Sequence, residues 1–188
     1  MFAANAVYVP QTSFTYATWN PSDKNAAITL SGGNLVATTP ATTVSQVRAT
    51  LGKSSGKWYW EVTGMDSGGS LFGIATSAAS LSNWTGGQST SWGYYYTGSV
   101  YNGGSIIAGP FGTLVSTDVM GFALDMSANT LAFYKNNVLQ YTATIAAGTW
   151  YPALGQSGGA GSTAFTANFG ASALTYSPPA GFNAGLYV

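Results

Sequence analysis

Alternating apolar and polar residues predict β-strands along most of the chain. Within residues 57–62 every second side chain, beginning with Trp58, is apolar, which is the period-2 pattern of a half-buried strand. Residues 71–75 form a short apolar run between turn residues, as in a strand that is buried on both faces. Residues 119–126 place large side chains on one side and small ones on the other. We therefore expect these three segments to form β-sheet.

Turn residues separate the predicted strands at short intervals. A further strand is predicted for residues 130–134, and Asn136 with Asn137 then predicts a two-residue hairpin turn, because Asn tolerates a positive φ. Twenty-five Gly and seven Pro residues punctuate the chain in this way. Helical signals are nearly absent, and the best candidate, residues 143–147, is too short to matter. The pattern is typical of an all-β sandwich or barrel.

Composition removes most kinds of catalytic site. The 188 residues include no Cys and no His, which excludes disulfides, thiolate nucleophiles and imidazole bases or ligands. Five basic and five acidic residues give a net charge of zero, and so few cations cannot neutralise several phosphates at once. We therefore expect no cofactor and no nucleic-acid partner. The apolar runs never approach the ~18 residues of a membrane span, so we expect no membrane insertion either.

Short motifs follow one another along the chain in the order of a known family. The first is GKWYWEV at residues 56–62, which resembles the strand G-K-x-Y-W-E-V of SPRY (B30.2-like) domains. The series continues with FGIA at 72–75, SWGY at 91–94, DVMGFALD at 118–125, LAFYKNN at 131–137, YPA at 151–153, NFG at 168–170 and PPAGF at 178–182. The resemblance extends from about Trp19 to Phe182.

The resemblance to SPRY domains implies a fold and a type of activity. It implies a bent sandwich of two antiparallel sheets, of the concanavalin-like jelly-roll type, which we assign to residues 19–188. The pattern of residues 1–18 separately predicts a short arm before it. The resemblance also implies a module without enzymatic activity whose variable loops meet a peptide, protein or glycan. Asn137 stands where the family usually has Gly, but Asn can hold the same left-handed conformation. The loop sequences match no ligand-reading pattern, so no partner carries over.

Four stretches are similar to SPRY modules of tailed-bacteriophage virion proteins. They are WNPSDKN at 19–25, LSGGN at 30–34, VRAT at 47–50 and SSGK at 54–57. This likeness implies a virion component: a tail-fibre or receptor-binding accessory, or a capsid decoration protein. A surface of low charge is poorly protected against self-association. We therefore expect a homo-oligomer or a part of a larger assembly, with other virion proteins or a host-surface protein or glycan as partners.

Two charged residues lie in predicted strands that are otherwise apolar or small. Arg48 and Glu61 would each need a counter-charge or backbone hydrogen bonds if they were buried. We expect them to form a structural ion pair between adjacent strands, because buried charges persist mainly when they are paired.

The remaining carboxylates leave one catalytic alternative open. Asp118 and Asp125 bracket one predicted strand, and Asp23 and Asp66 lie in predicted turns. Two carboxylates about 5–9 Å apart could hydrolyse a glycoside. An Asp at a strand end more often makes a local hydrogen bond in a turn, so we expect no catalytic residue and no metal site.

Aromatic residues are concentrated between residues 84 and 101. Tyr and Trp offer large, rigid contact area with a polar tip, and they also stack on sugar rings. We expect Trp92 and Tyr94 to fill the core. The predicted ligand-binding residues are Trp84, Tyr96, Tyr101 and Asn102.

The first eighteen residues lack the strand-and-turn rhythm of the rest. Four apolar side chains stand out in this arm: Val7, Tyr8, Val9 and Phe14. The arm is either a frayed terminus or a segment that docks on a neighbouring subunit by strand addition or apolar contact. Each of the four would cost about 1.5–3 kcal/mol to leave in water as a full side chain, which favours docking.

Two other functions remain as alternatives to a virion component. One is a free SPRY adaptor that recognises a peptide, which an exposed pocket lined by aromatics and an Arg would favour. The other is a glycan-hydrolysing enzyme, which two opposed carboxylates in a groove would favour.

Overall fold

The computed structural model describes residues 13–64, 68–159 and 162–188, and strands dominate them. In chain order the strands are β1 (Trp19–Lys24), β2 (Thr29–Ser31), β3 (Val36–Thr39), β4 (Ser45–Ala49), β5 (Lys57–Thr63), β6 (Ser70–Ala75), β7 (Ser91–Tyr95), β8 (Val100–Asn102), β9 (Ser105–Ala108), β10 (Val119–Asp125), β11 (Thr130–Lys135), β12 (Val138–Thr144), β13 (Tyr151–Gln156), β14 (Thr163–Asn168) and β15 (Asn183–Ala184). These described residues contain no helix. The all-β prediction is confirmed.

Two antiparallel sheets pack face to face as a sandwich. The first has seven strands in the order β1-β4-β13-β6-β7-β8-β9. The second runs β12-β11-β10-β5-β14-β3-β2, and β15 adds to it by pairing with β5 in the parallel direction. Some consecutive strands pair within one sheet, such as β6 to β9 and β10 to β12, whereas others, such as β4 and β5, lie in different sheets.

The predicted strands and hairpin turn are confirmed in place. The segments expected at 57–62, 71–75 and 119–126 correspond to β5, β6 and β10. Asn136 and Asn137 adopt φ values of 47° and 65°, which is the left-handed pair that a two-residue hairpin requires.

The core between the sheets is built from aromatic side chains. Phe72 of the first sheet meets Phe165 of the second edge to face, with ring centroids 4.8 Å apart. Within the second sheet the Trp60 ring stacks on Phe122 at 5.4 Å. Tyr94 is also fully buried, as predicted, and Trp92 packs partly buried against the core. Burial of each such side chain contributes about 1.5–3 kcal/mol, so this layer dominates the stability of the fold.

Strand β5 differs from its predicted half-burial, because both of its faces are covered. Tyr59 and Glu61, on the face away from the core, are only 1% and 2% exposed. A covering segment, defined here as residues 170–178, lies over them. It donates the backbone N–H groups of Thr175 and Tyr176 to the Glu61 carboxylate at 2.7 and 2.8 Å.

The Tyr59 hydroxyl completes the shell around this buried carboxylate. It donates to Glu61 Oε1 at 3.3 Å. Burial, reinforced by the negative charge of Glu61, raises the pKa of Tyr59 well above its ordinary value. The phenol therefore stays neutral and remains a donor throughout the physiological range.

The predicted ion pair between Arg48 and Glu61 is wrong, because the two residues lie in different sheets. Arg48, 4% exposed, donates Nε and Nη2 to the Asp23 carboxylate, both at 2.7 Å. Its Nη1 donates to the carbonyls of Thr76 and Ala79 at 3.2 and 2.7 Å. Each buried charge thus has its own partners, and each holds a segment that covers the outer face of its sheet.

The end of the arm packs on the C-terminus of the same chain. Thr15 and Val188 exchange backbone hydrogen bonds at 3.1 Å, and Ala17 N–H donates to the Leu186 carbonyl at 2.9 Å. The Phe14 ring lies 4.1 Å from that of Tyr187, although the side chain is 48% exposed. The other arm residues singled out, Val7, Tyr8 and Val9, lie outside the described residues.

The two aspartates at the ends of β10 fasten neighbouring turns. Asp118 accepts from the Val115 N–H at 2.9 Å and from the Asn136 amide at 2.6 Å, and it pairs with Lys135. Burial alone raises the pKa of Asp118, but these donors outweigh it and hold the pKa below its ordinary value.

Asp125 has an equivalent set of partners at the other end of β10. It pairs with Lys57 at 2.9 Å and accepts from the N–H groups of Ser127 and Ala128. Burial again raises the pKa of Asp125, but the Lys57 ammonium and the two N–H groups outweigh it, so that this pKa also lies below its ordinary value.

Replacing Glu61 with Gln should destabilise the fold and loosen the covering segment. In Glu61→Gln an NH₂ group faces a backbone N–H donor, so we expect the free energy of unfolding in urea to fall by about 2–4 kcal/mol. Tyr59→Phe keeps both backbone donors on the carboxylate and should cost less than about 1.5 kcal/mol. Equal losses in the two variants would contradict this account of the buried carboxylate.

Stability should decline in acid through Asp118 and Asp125. A carboxylate whose folded pKa is lowered stabilises the fold above its unfolded pKa, and this contribution is lost as the pH falls through the folded pKa. We expect the free energy of unfolding to drop below about pH 4. Asp118→Asn and Asp125→Asn should be less stable at pH 7 and should show a shallower acid slope. An unchanged slope in both variants would refute the assignment.

Candidate ligand site on the outer face

A long connection lies flat on the outer face of the seven-stranded sheet. This covering loop, residues 76–90, joins β6 to β7 and is held by Arg48 through the two carbonyl contacts already described. Gln46, the next outward-facing residue of β4, forms two further hydrogen bonds to the covering loop. Its backbone N–H donates to the Leu81 carbonyl at 3.0 Å, and its Oε1 accepts from the Thr85 hydroxyl at 3.1 Å.

Two glycines allow the covering loop to approach the sheet this closely. A Cβ on Gly93 of β7 would lie 2.1 Å from the Thr85 carbonyl oxygen. A Cβ on Gly155 of β13 would lie 2.6 Å from the Thr85 nitrogen. Because both obstacles are backbone atoms, any larger residue at either position would force the loop off the sheet.

The covering loop and the sheet together form a partly open aromatic pocket of about 150 Å³. We use this name for the pocket lined by Leu71, Trp84, Tyr95, Tyr101 and Ser157. The rings of Trp84 and Tyr101 meet edge to face at 5.3 Å, and those of Tyr95 and Tyr101 at 5.9 Å.

Strand register explains why these side chains converge. Leu71 pairs with Tyr95 across β6 and β7, and Gly93 pairs with Tyr101 across β7 and β8. Side chains alternate along a strand, so Tyr95 points outward while its buried neighbour Tyr94 points into the core. Burial raises the pKa of Tyr94 to about 12, and the negative charge of Asp118 contributes to this rise.

Only two of the four predicted ligand residues line the same pocket in the structure. Trp84 and Tyr101 line the aromatic pocket, where ligand binding stays a prediction. Tyr96 packs against the core instead. Asn102 donates its amide to the Ser89 and Ser91 carbonyls at 3.3 and 2.8 Å, so it fixes the end of the covering loop.

Sequence reasoning missed three residues of the aromatic pocket. Tyr95 was detectable, because it alternates with the two core-facing positions Tyr94 and Tyr96. Leu71 and Ser157 carried no such signal, since their place depends on the order of strands in the sheet.

The residues of the aromatic pocket carry several hydrogen-bond donors, and some of these donors have no acceptor among the described residues. Among the described residues, neither the Trp84 indole N–H nor the Tyr101 hydroxyl donates to a protein acceptor. Ser157 donates its hydroxyl to the Gly69 carbonyl at 3.0 Å. The pKa of Tyr95 is raised mainly by burial and further by the neighbouring phenols of Tyr96 and Tyr101. The Tyr95 hydroxyl is therefore neutral.

Within residues 13–64, 68–159 and 162–188, no charged side chain lines the aromatic pocket, and the basic residues are engaged elsewhere. Arg48, Lys57 and Lys135 pair with Asp23, Asp125 and Asp118. Lys24 and Lys53 donate to the carbonyls of Ile28 and Tyr187 at 2.7 and 2.6 Å. The pocket therefore offers aromatic faces and neutral donors.

The two carboxylates that bracket β10 are too far apart for the catalytic pair of a glycosidase. Asp118 and Asp125 lie at opposite ends of β10, so at about 3.3 Å per residue they are roughly 20 Å apart, beyond the ~9.5 Å limit of a catalytic pair. Two other side-chain carboxylates are described: Asp23 is paired with Arg48, and Glu61 is covered by residues 170–178. Asp66 lies outside the described residues.

Within residues 13–64, 68–159 and 162–188, no three potential ligand side chains come together as a metal site. Over these ranges the structure has no helix of the length and apolarity needed to span a bilayer.

Similarity to known proteins agrees with the fold. Among solved structures, the SPRY domain of human HERC1 matches with a TM-score of 0.67 and 19% identity, over 79% of this chain and 96% of that one. The TRIM65 PSpry domain matches with a TM-score of 0.67 and 18% identity, over 82% of this chain and 90% of that one. Stonustoxin matches with a TM-score of 0.64 and 22% identity, over 82% of this chain but only 27% of the toxin chain. At these identities the likeness shows the fold alone.

A search of curated protein sequences finds no match. A scan against protein families matches residues 57–170 to the family described as the SPRY domain. This match spans more than half of the 188 residues, and the motifs at 56–62 and 118–125 fall on the central strands β5 and β10. The chain therefore belongs to the SPRY domain family.

Proposed function

We propose that this chain is a non-catalytic binding module that attaches to a partner surface through the aromatic pocket. SPRY domains are typically protein–protein interaction modules. The observation that carries the proposal is the convergence of Trp84, Tyr95 and Tyr101 on one exposed concave site. Concave sites with aromatic walls and a few polar groups are the usual places where proteins bind ligands.

Preorganisation supports a role in binding. Trp84 sits on an irregular loop, yet that loop is held through Arg48, Gln46 and Asn102. A loop that is already ordered loses little entropy when a ligand arrives, so more of the contact energy remains as affinity. Tyr and Trp side chains provide most of the binding energy at many protein surfaces.

Two features of the chemistry support the absence of catalysis. The sequence has no His and no Cys, and the described carboxylates are each held by a cation or by backbone N–H groups. The lowered pKa values of Asp118 and Asp125 make both groups poor general acids at neutral pH.

The proposal places the module in a bacteriophage particle. Its support is the similarity of residues 19–25, 30–34, 47–50 and 54–57 to phage SPRY modules, together with only ten charged residues in 188. In this setting the aromatic pocket would face outward for adhesion. A tail-fibre or receptor-binding accessory and a capsid decoration protein are both consistent with it.

The arm would provide the attachment to the particle. Thr15 and Ala17, at the end of the arm, pair with Val188 and Leu186 of the same chain. Val7, Tyr8 and Val9 are apolar residues of the kind that dock on another subunit. This contact would make the chain part of an assembly, either with its own copies or with other virion proteins.

Quantitative mass spectrometry of purified particles from the source that encodes the chain tests the virion proposal. We expect the chain to be present in fixed stoichiometry. A copy number comparable with that of the shell subunit would identify a decoration protein, and a low number would place it on the tail. Absence from every particle would refute the virion proposal and leave a free adaptor, to be screened against peptides.

Substitution of Trp84 tests the aromatic pocket as the adhesive site. We expect fluorescently labelled Trp84→Ala chain to cosediment with host cells at least about tenfold more weakly than the unmodified chain, because a central aromatic contact is worth 1.4 kcal/mol or more. Phe111→Ala is the control, since Phe111 is 38% exposed and lies outside the pocket. Equal binding by the Trp84 variant and the control would contradict the proposal.

A further inference from the structure

We infer that the aromatic pocket takes one uncharged six-membered sugar ring of a surface glycan. The inference rests on the proposed function, because it names the ligand class of the same site. Three properties of the pocket carry it: its size, its unpartnered donors and its lack of charge.

The size of the aromatic pocket fits a single ring. Its volume is about 150 Å³. An apolar cavity of about 150 Å³ in another protein holds one benzene molecule, so this pocket has room for the ring of one sugar, whose hydroxyl substituents would lie at the open side of the pocket. A folded peptide segment would not enter it, whereas a terminal sugar residue on a flexible glycan would.

The donors around the aromatic pocket match hydroxyl groups. A pyranose presents C–H groups on its face, which suit the negative face of an aromatic ring, and hydroxyl oxygens around its rim. Trp84 and Tyr101 line the pocket, and in the described part of the chain no acceptor engages the Trp84 indole N–H or the Tyr101 hydroxyl, so both can donate to such oxygens. A proline or leucine side chain would fill the same volume but leave both donors unsatisfied, which costs binding energy.

The absence of charge selects a neutral sugar. Among the residues that the structure describes, no acidic or basic side chain lines the aromatic pocket, and the basic residues are bound to Asp carboxylates or backbone carbonyls. A carboxylate or sulfate on the ligand would lose hydration on entry without gaining a counter-charge. Glucose and glucuronic acid provide a matched pair, because they differ only in the oxidation state of C6.

The test is a ¹H–¹⁵N NMR titration of the Trp84 indole resonance, which the Trp84→Ala spectrum assigns. The probes are methyl glycosides of glucose, galactose, mannose, N-acetylglucosamine and glucuronic acid, each up to about 100 mM, since single sugars bind weakly. We expect a saturable shift with at least one neutral glycoside. The glucuronide should bind at least about tenfold more weakly than the methyl glucoside, if glucose is bound.

Two variants separate a role in binding from a role in folding. Tyr101→Phe keeps the ring and removes the donor, so we expect affinity for the bound glycoside to fall about threefold to tenfold with the fold intact. Phe111→Ala should bind like the unmodified chain. No shift with any neutral glycoside, or equal binding of the charged one, would overturn the inference.

The cell-binding experiment distinguishes this inference from the proposed function. If no glycoside binds but Trp84→Ala still loses host-cell attachment, the adhesive role stands and the sugar ligand is wrong. If a neutral glycoside binds in the pocket but Trp84→Ala attaches to cells normally, the sugar ligand stands and the adhesive role is wrong.

Discussion

Two buried charges hold the irregular parts of this protein on its sheets. Arg48 fastens residues 76–90 to the outer face of the seven-stranded sheet, and Glu61 fastens residues 170–178 to the outer face of the other. A buried charge that loses its partners is costly, at about 3–5 kcal/mol. In a chain with so few charges, each of these two residues therefore specifies where one segment lies, while the apolar core supplies the bulk of the stability.

The attachment of residues 76–90 connects the fold to the proposed function. It presents Trp84 against Tyr95 and Tyr101, which the strand register already places on the outer face. Gly93 and Gly155 are part of the same arrangement, because only a residue without Cβ lets the loop lie so close to the sheet. The proposed binding site thus combines Trp84 of a loop that is hydrogen-bonded to the sheet with side chains of the strands themselves.

Local patterns predicted most of the fold, and they failed where distant segments meet. Alternation identified β5 and β10, and the Asn136–Asn137 pair identified a hairpin turn. The partners of Arg48 could not be predicted, because Asp23 and the carbonyls of residues 76–79 approach it only after the sheets and their coverings have formed. The same holds for the aromatic pocket, where Trp84 and Tyr101 were identified as aromatic loop residues but Leu71 and Ser157 were not.

Hydrogen exchange of an Arg48→Lys variant tests the central claim most directly. Lysine keeps a charge near Asp23, but one ammonium group cannot also reach the carbonyls of Thr76 and Ala79 as the forked guanidinium does. The account predicts faster amide exchange in residues 76–90, with exchange in residues 170–178 unchanged. Unchanged exchange in residues 76–90, or an equal increase over the whole chain, would contradict it.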